Sequence, residues 1–440
     1  MRALNARLVQ LFAGRDNIGA ILQSIATKLS MFALSIATGV ITARTLGAEG
    51  RGILAALITW PQFIAYLVTF GLVNSFVYNV KREPARRGRL FGTALILSFL
   101  AGAIASSIGI ALLPLLLQDY ARETVRTAQG LMLMSPIILV ALMMQTGAEA
   151  AADFRGANAS RGVSVAGTFV GCACLLLTGT LSPLTAALAY LLPQIPLTIW
   201  LFNRLTPHYR PGISRFRSSA LRLLRYGLRC FPAEFVTAAS GYVGQATVIA
   251  LVQPAAVGYF IVSLSISKLL EIFYTAVASV LLPATAARSL EDVVDKTARA
   301  ARVTFVLMAS AGLALIVVLP IALPLVYGHD FAEAVPIARL LILEAVLSGT
   351  VWVLVQAFFS LGRPELATLC QVVTLAASVI LLLVFVPKYG AVGAAQVLLG
   401  VAIAKLTLAL GLYRYALGVP VRGLAYSRAD VAYVGALLRR

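Results

Sequence analysis

Charge is what this sequence has least of. Aspartate and glutamate together number 17 of 440 residues, and all charged residues make up only 12%, against roughly 25% in an average soluble domain. A water-soluble fold of this size would lack a polar surface, so soluble and disordered classes are excluded. Histidine occurs twice, as His208 and His329 in separate predicted loops, which leaves no His-x-x-x-His metal pair. None of the six lysines follows a glycine, so there is no Walker A loop and no ATP hydrolysis on this chain. The four cysteines, Cys172, Cys174, Cys230 and Cys370, lie in or beside apolar segments without zinc or dithiol spacing and read as packing residues. No metal, cofactor or enzymatic activity is expected.

What the sequence has in abundance is apolar length. Hydrophobic residues make up 60% and the mean hydropathy is +0.91. Apolar windows recur near 18–42, 53–79, 90–117, 127–149, 162–181, 183–203, 228–252, 255–285, 302–327, 333–361, 365–386 and 390–413. Each approaches the ~20 residues a helix needs to cross a bilayer, where the backbone has no other hydrogen-bond partner. The expected fold is therefore an all-α polytopic membrane protein of about twelve spans. The net charge of +19 does not indicate nucleic acid, because the basic residues sit in short loops and form no basic face. With both termini cytoplasmic, 27 Lys and Arg fall on the inside segments and 5 on the outside, the asymmetry that orients inserted helices. The long basic stretch from Arg204 to Arg229 then becomes a cytoplasmic connection.

The chain also resembles itself. At an offset of 206–208 residues, Gly50-Arg51-Gly52-Ile53 falls on Ala256-Val257-Gly258-Tyr259 and Phe154-Arg155 on Gly362-Arg363, while Pro183 to Ala187 falls on Ala391 to Ala395. Such duplication predicts two pseudo-symmetric six-helix lobes around a central cavity, since many transporters bind substrate between repeated halves. The expected division is an amphipathic N-terminal segment 1–17, lobes 18–205 and 228–413, a basic linker 206–227 and a basic tail 414–440.

Polar residues inside spans are costly in lipid and mark candidate sites. In the first span Ser24, Lys28, Ser35, Thr38 and Thr42 share one helical face, a polar stripe with one cation. The seventh repeats the device with Glu234, Thr237, Gly241 and Gln245, and the eighth with Ser263, Ser267, Glu271 and Tyr274 beside Lys268. Lys268 and Glu271 are also spaced to neutralise each other. Glu344 is the deepest carboxylate of the later helices, a candidate with Glu271 for ion coupling, or a partner for Arg339 or Lys405. Arg51 is expected at the interface.

Ala43-Arg44-Thr45-Leu46-Gly47-Ala48-Glu49-Gly50-Arg51-Gly52 resembles the "LGPEGFG" turn of bacterial polysaccharide flippases. Phe331 to Ala334, Leu361-Gly362-Arg363-Pro364 and Val386 to Ala395 are similar to that family's C-terminal half. The family lies in the multidrug/oligosaccharidyl-lipid/polysaccharide exporter superfamily. The resemblance implies a transporter of the bacterial inner membrane that flips undecaprenyl-diphosphate-linked oligosaccharides by alternating access for lipopolysaccharide or exopolysaccharide synthesis. It implies that Lys28 and Lys268 meet the diphosphate, that the partners are the lipid-linked oligosaccharide, membrane lipids, a polysaccharide polymerase and glycosyltransferases, and that nucleic acid plays no part. A twelve-span plan disfavours the fourteen-helix peptidoglycan-precursor branch, and a cation-coupled multidrug antiporter of the same superfamily is the alternative. A membrane-embedded polymerase or ligase fits less well, because no outside loop exceeds about a dozen residues.

Overall fold

The computed structural model describes residues 18–285 and 289–419, with side chains from residue 30 onward except at 279, 280 and 282–284. The expected segment 1–17 and the tail beyond 419 lie outside the described residues. Fourteen α-helices follow one another, and no strand occurs among the described residues. They are α1 (Ile18–Leu67), α2 (Leu72–Arg82), α3 (Arg87–Leu116), α4 (Arg122–Leu131), α5 (Ser135–Ala150), α6 (Phe154–Leu177) and α7 (Pro183–Leu191). The chain continues through α8 (Gln194–Tyr209), α9 (Phe216–Leu251), α10 (Pro254–Ser267), α11 (Glu271–Thr285), α12 (Leu290–Tyr327), α13 (Val335–Ser360) and α14 (Pro364–Ala416).

Nine helical runs among the described residues are long and apolar enough to cross a membrane. The difference from twelve has two physical causes. Gly47 (φ 66°) and Gly390 (φ 58°) each turn a continuous helix, α1 and α14, so that two sequence windows share one element without an intervening loop. A positive φ costs glycine nothing, which is why the Leu-Gly and Tyr-Gly positions carry these turns. The window at 228–252 is the C-terminal part of α9, where Glu234, Gln245 and several small polar residues dilute the hydropathy. Lipid exposure is visible on α12, where Leu313, Val317, Ile321 and Leu325 form a stripe at four-residue spacing and Ile321 is 75% exposed. In water such a stripe would be an aggregation site; in a bilayer it is the solvated surface.

The described residues divide into two compact units, 33–261 and 262–419 with 18–32. The core of the first gathers Phe76, Phe91, Tyr209 and Leu223, with the Phe91 and Tyr209 rings stacked at 4.2 Å and the Tyr209 hydroxyl donating to the Gly147 carbonyl at 2.7 Å. In the core of the second, Tyr413 lies 5.2 Å from Phe358 and its hydroxyl donates to the Leu354 carbonyl, also at 2.7 Å. A buried phenol needs such an acceptor, and the two bonds repeat one solution. The corners before α6 and α14 match as well. Ala152 (φ 59°) and Gly362 (φ 69°) end one helix, and Asp153 N–H to Ala148 and Arg363 N–H to Phe358 close the same turn. This corner pairs Asp153 with Arg363, two residues away from the register read in the sequence.

Asp153 also caps α6 by accepting from the Gly156 amide at 3.0 Å, and Arg204 of α8 reaches it at 2.6 and 3.0 Å. The Arg204 guanidinium holds this loop carboxyl below its ordinary range. The contribution is therefore complete above about pH 4 and is lost as pH falls through the lowered value. Solvent exposure makes it small. Asp153→Asn is expected to flatten the acid side of the thermal-stability profile of the purified protein and leave the neutral side within about 1 kcal/mol of wild type.

Candidate functional site

The polar face of α9 is built into the first unit. Gln245 Nε2 donates to Thr59 Oγ1 at 2.5 Å, and Tyr242 lies against Phe63 (5.5 Å between ring centroids) and Tyr66 (5.9 Å). Glu234 Oε2 accepts from the Thr69 hydroxyl at 3.0 Å; Oε1 accepts from the Asn74 amide at 3.2 Å and from its side chain at 2.7 Å. Gly71, at the N-cap of α2, has no side chain to cap with. Glu234 supplies that cap from another helix, a favourable place for a carboxylate because the N-terminal amides and the helix dipole both face it. Phe70 and Phe231 pack beside it, and Gly71 meets Gly227 backbone to backbone.

The first-span stripe is divided. Thr38 is 2% exposed and donates to Leu34 of its own helix, and Thr42 donates to Thr38. Ser35 is exposed. Ser24 and Lys28 lie on α1, and their side chains fall outside the described set. Of the remaining seventh-span positions, Thr237 bonds the Ala233 carbonyl and Gly241 meets open space.

The second unit carries charged side chains on three neighbouring elements, Lys268 and Glu271 at the α10–α11 turn, Glu344 on α13 and Lys405 on α14. Glu344 is hydrogen-bonded to Ser348 at 2.5 Å and lies within electrostatic reach of Lys405 and Glu271. Glu271 in turn feels Lys268, and Tyr274 lies near both carboxylates. The 3-10 turn Lys268–Leu270 between α10 and α11 places the cation and the acid on adjacent turns. Among the described residues no ion pair closes from Lys268 or Lys405 to either carboxylate, and none joins Glu344 to Arg339. Ser263 and Ser267 are buried, donating to Ala334 and Leu264. Two carboxylates, two ammonium groups, a phenol and a hydroxyl thus lie in one neighbourhood without neutralising contacts.

Arg51, expected at the interface, is buried against neighbouring helices. It is 6% exposed, with Nε and Nη1 lacking any partner, and lies near buried Cys172. Nothing in the spacing of Gly50-Arg51-Gly52 signals this depth, because the residue sits one turn past a helix hinge that a hydropathy window reads as a loop.

Solved transporter structures share this fold. A lipid II flippase, MurJ, in an inward closed conformation superimposes with a TM-score of 0.76 at 17% identity over 92% of this chain and 89% of that one. A multidrug resistance MATE family transporter of the MOP superfamily, inward-facing, gives 0.65 at 17% identity over 93% and 95%. A MOP superfamily transporter from Pyrococcus furiosus gives 0.61 at 16% identity over 95% and 99%. No curated protein sequence matches the chain. The family model for polysaccharide biosynthesis protein matches residues 41–336. The fold is thus that of a membrane transporter, and the chain belongs to the polysaccharide biosynthesis protein family.

Proposed function

We propose that this protein flips undecaprenyl-diphosphate-linked oligosaccharide units across the bacterial inner membrane by alternating access, with both termini cytoplasmic. The observation that carries this reading is the family match over 41–336 on a chain whose fold is that of flippases and exporters. Lys28 and Lys268 supply the charge that an anionic diphosphate needs at low dielectric. Ser24, Ser35 and Gln245 offer hydrogen bonds to passing sugars, while Glu234 ties α9 to α2 and Thr38 spends its hydroxyl on its own helix. Glu271 and Glu344 carry the coupling ion. Two lobes, 18–205 and 228–413, alternate access, and a polymerase and glycosyltransferases act before and after the step.

The test is deletion of the gene, scored for exported polysaccharide and for undecaprenyl-linked precursor on the cytoplasmic leaflet. The expected result is precursor accumulation, relieved by wild type and by less than a tenth as much by Lys28→Ala, on the order of the 1.4 kcal/mol or more that a charge contact to phosphate supplies. Normal export with new sensitivity to cationic dyes would replace this reading with the antiporter, for which Glu271 and Glu344, neither closed into an ion pair among the described residues, are the specific support; Glu344→Gln would then abolish resistance while Lys28→Ala spared it.

A further inference from the structure

The arginine-rich N-terminal part of α9 carries a second feature. One strip of this helix, Ala220, Leu223 and Gly227, is buried against α2 and α3. The opposite side has two strips. Leu221, Leu228 and Phe235, spaced by seven residues, are 67%, 56% and 40% exposed and form an apolar line that runs into the spanning half of the helix. Beside it, Ser218, Arg222, Arg225 and Arg229, with Leu221 and Tyr226, line an open cavity of about 340 Å³.

The wall of this cavity is fixed. Arg222 is ion-paired with Glu83, and the Tyr226 ring stacks on Tyr78 at 4.1 Å, nearly parallel. Arg225 and Arg229 differ: both are exposed, one turn apart, and neither has an acidic partner among the described residues. Two free guanidinium forks at i and i+4 next to an apolar line match an anionic amphiphile with two adjacent phosphates. Each fork grips the oxygens of one phosphate, and the hydrocarbon lies along the leucines. A bilayer phospholipid presents one phosphate, so two lipid molecules would have to be ordered to fill the forks that one diphosphate fills alone.

We propose that this groove docks the polyisoprenyl diphosphate end of the carrier, Arg225 and Arg229 holding the diphosphate and Leu221, Leu228 and Phe235 the start of the chain. This deepens the flippase reading and rests on it: the groove captures the substrate at the membrane surface before it reaches the polar interior.

The experiment measures binding of undecaprenyl diphosphate, undecaprenol and phosphatidylglycerol to the full-length protein in phosphatidylcholine nanodiscs. Wild type is expected to prefer the diphosphate, and the Arg225→Ala/Arg229→Ala variant to bind it at least about tenfold more weakly with undecaprenol binding unchanged. If the alanine pair fails to fold, Arg225→Lys/Arg229→Lys decides: it keeps the charge, loses the fork, and is expected to weaken diphosphate binding by about threefold. A change under twofold in the folded variant, or equal competition by phosphatidylglycerol, would overturn the docking site and leave a general anchor for anionic lipid. Lost docking selectivity with intact export would remove this inference alone. An unimpaired gene deletion would remove the flippase reading itself.

Discussion

Gly52→Ala and Gly258→Ala are each expected to abolish polysaccharide export and to remove most of the monodisperse protein. A Cβ on Gly52 would lie 1.8 Å from the Pro254 carbonyl oxygen, and one on Gly258 would lie 2.0 Å from that of Ala48. The contacts are reciprocal: 48 to 258 and 254 to 52, with the equivalent positions, 48 and 254 and likewise 52 and 258, 206 residues apart in the chain. Neither oxygen belongs to a side chain that can rotate away, so a methyl group must separate two helix backbones. Overpacking of this kind costs about 1–3 kcal/mol where side chains can adjust, and more where they cannot. Close backbone approach at small residues four apart is also what holds membrane helices together in the absence of a hydrophobic drive. Gly162→Ala, with nothing within 4 Å of the added carbon, is the matched control and should behave as wild type. Normal yield and export from both glycine variants would show that this approach is not needed for the native packing.

Glu234→Ala is expected to lower the stability of the purified protein by about 2–3 kcal/mol, since hydrogen bonds to a charged group contribute roughly 1.5–3 kcal/mol each and these are partly solvated. The loss leaves the Thr69 hydroxyl, the Asn74 amide and its side chain without their acceptor, and α2 without a cap. Glu234→Gln separates the cap from a substrate contact. Its carbonyl oxygen can accept from both Asn74 donors and its amide can donate to the Thr69 oxygen, so a capping role retains most stability and export. A need for the charge itself, as a direct substrate or ion ligand would have, fails in both variants. Thermal unfolding and export measured on the pair distinguish the two.

Those two glycines and this glutamate mark where the sequence stopped being informative. The apolar windows located the helices, and the glycine-bearing motifs at 47 and 390 located the turns, because hydropathy and positive-φ glycine are local properties. Periodicity also placed Glu234 and Gln245 on one face of α9. It could not say what lay across from that face, and the answer, Thr59, Thr69 and Asn74, comes from residues about 160–190 positions away. The first-span stripe was legible for the same reason and incomplete for another: Thr38 and Thr42 spend their hydroxyls on their own helix. The burial of Arg51 was not legible because it depends on neighbouring helices, here α6 with Cys172, and not on distance from a span end. Arg225 and Arg229 were counted as topology signals, and only burial of the opposite side of α9 separates them from the others.

The continuous turn at Gly47 has a consequence for biogenesis. The first two spans share α1 with no non-helical loop between them beyond Gly47, so they form one helical hairpin whose bend rests on a single backbone position. A reporter or protease site inserted after Gly47 would break the hairpin itself and disturb insertion of everything downstream. The same insertion at 211–214, where the chain runs outside any helix, would lengthen an existing connection and leave the order of insertion intact.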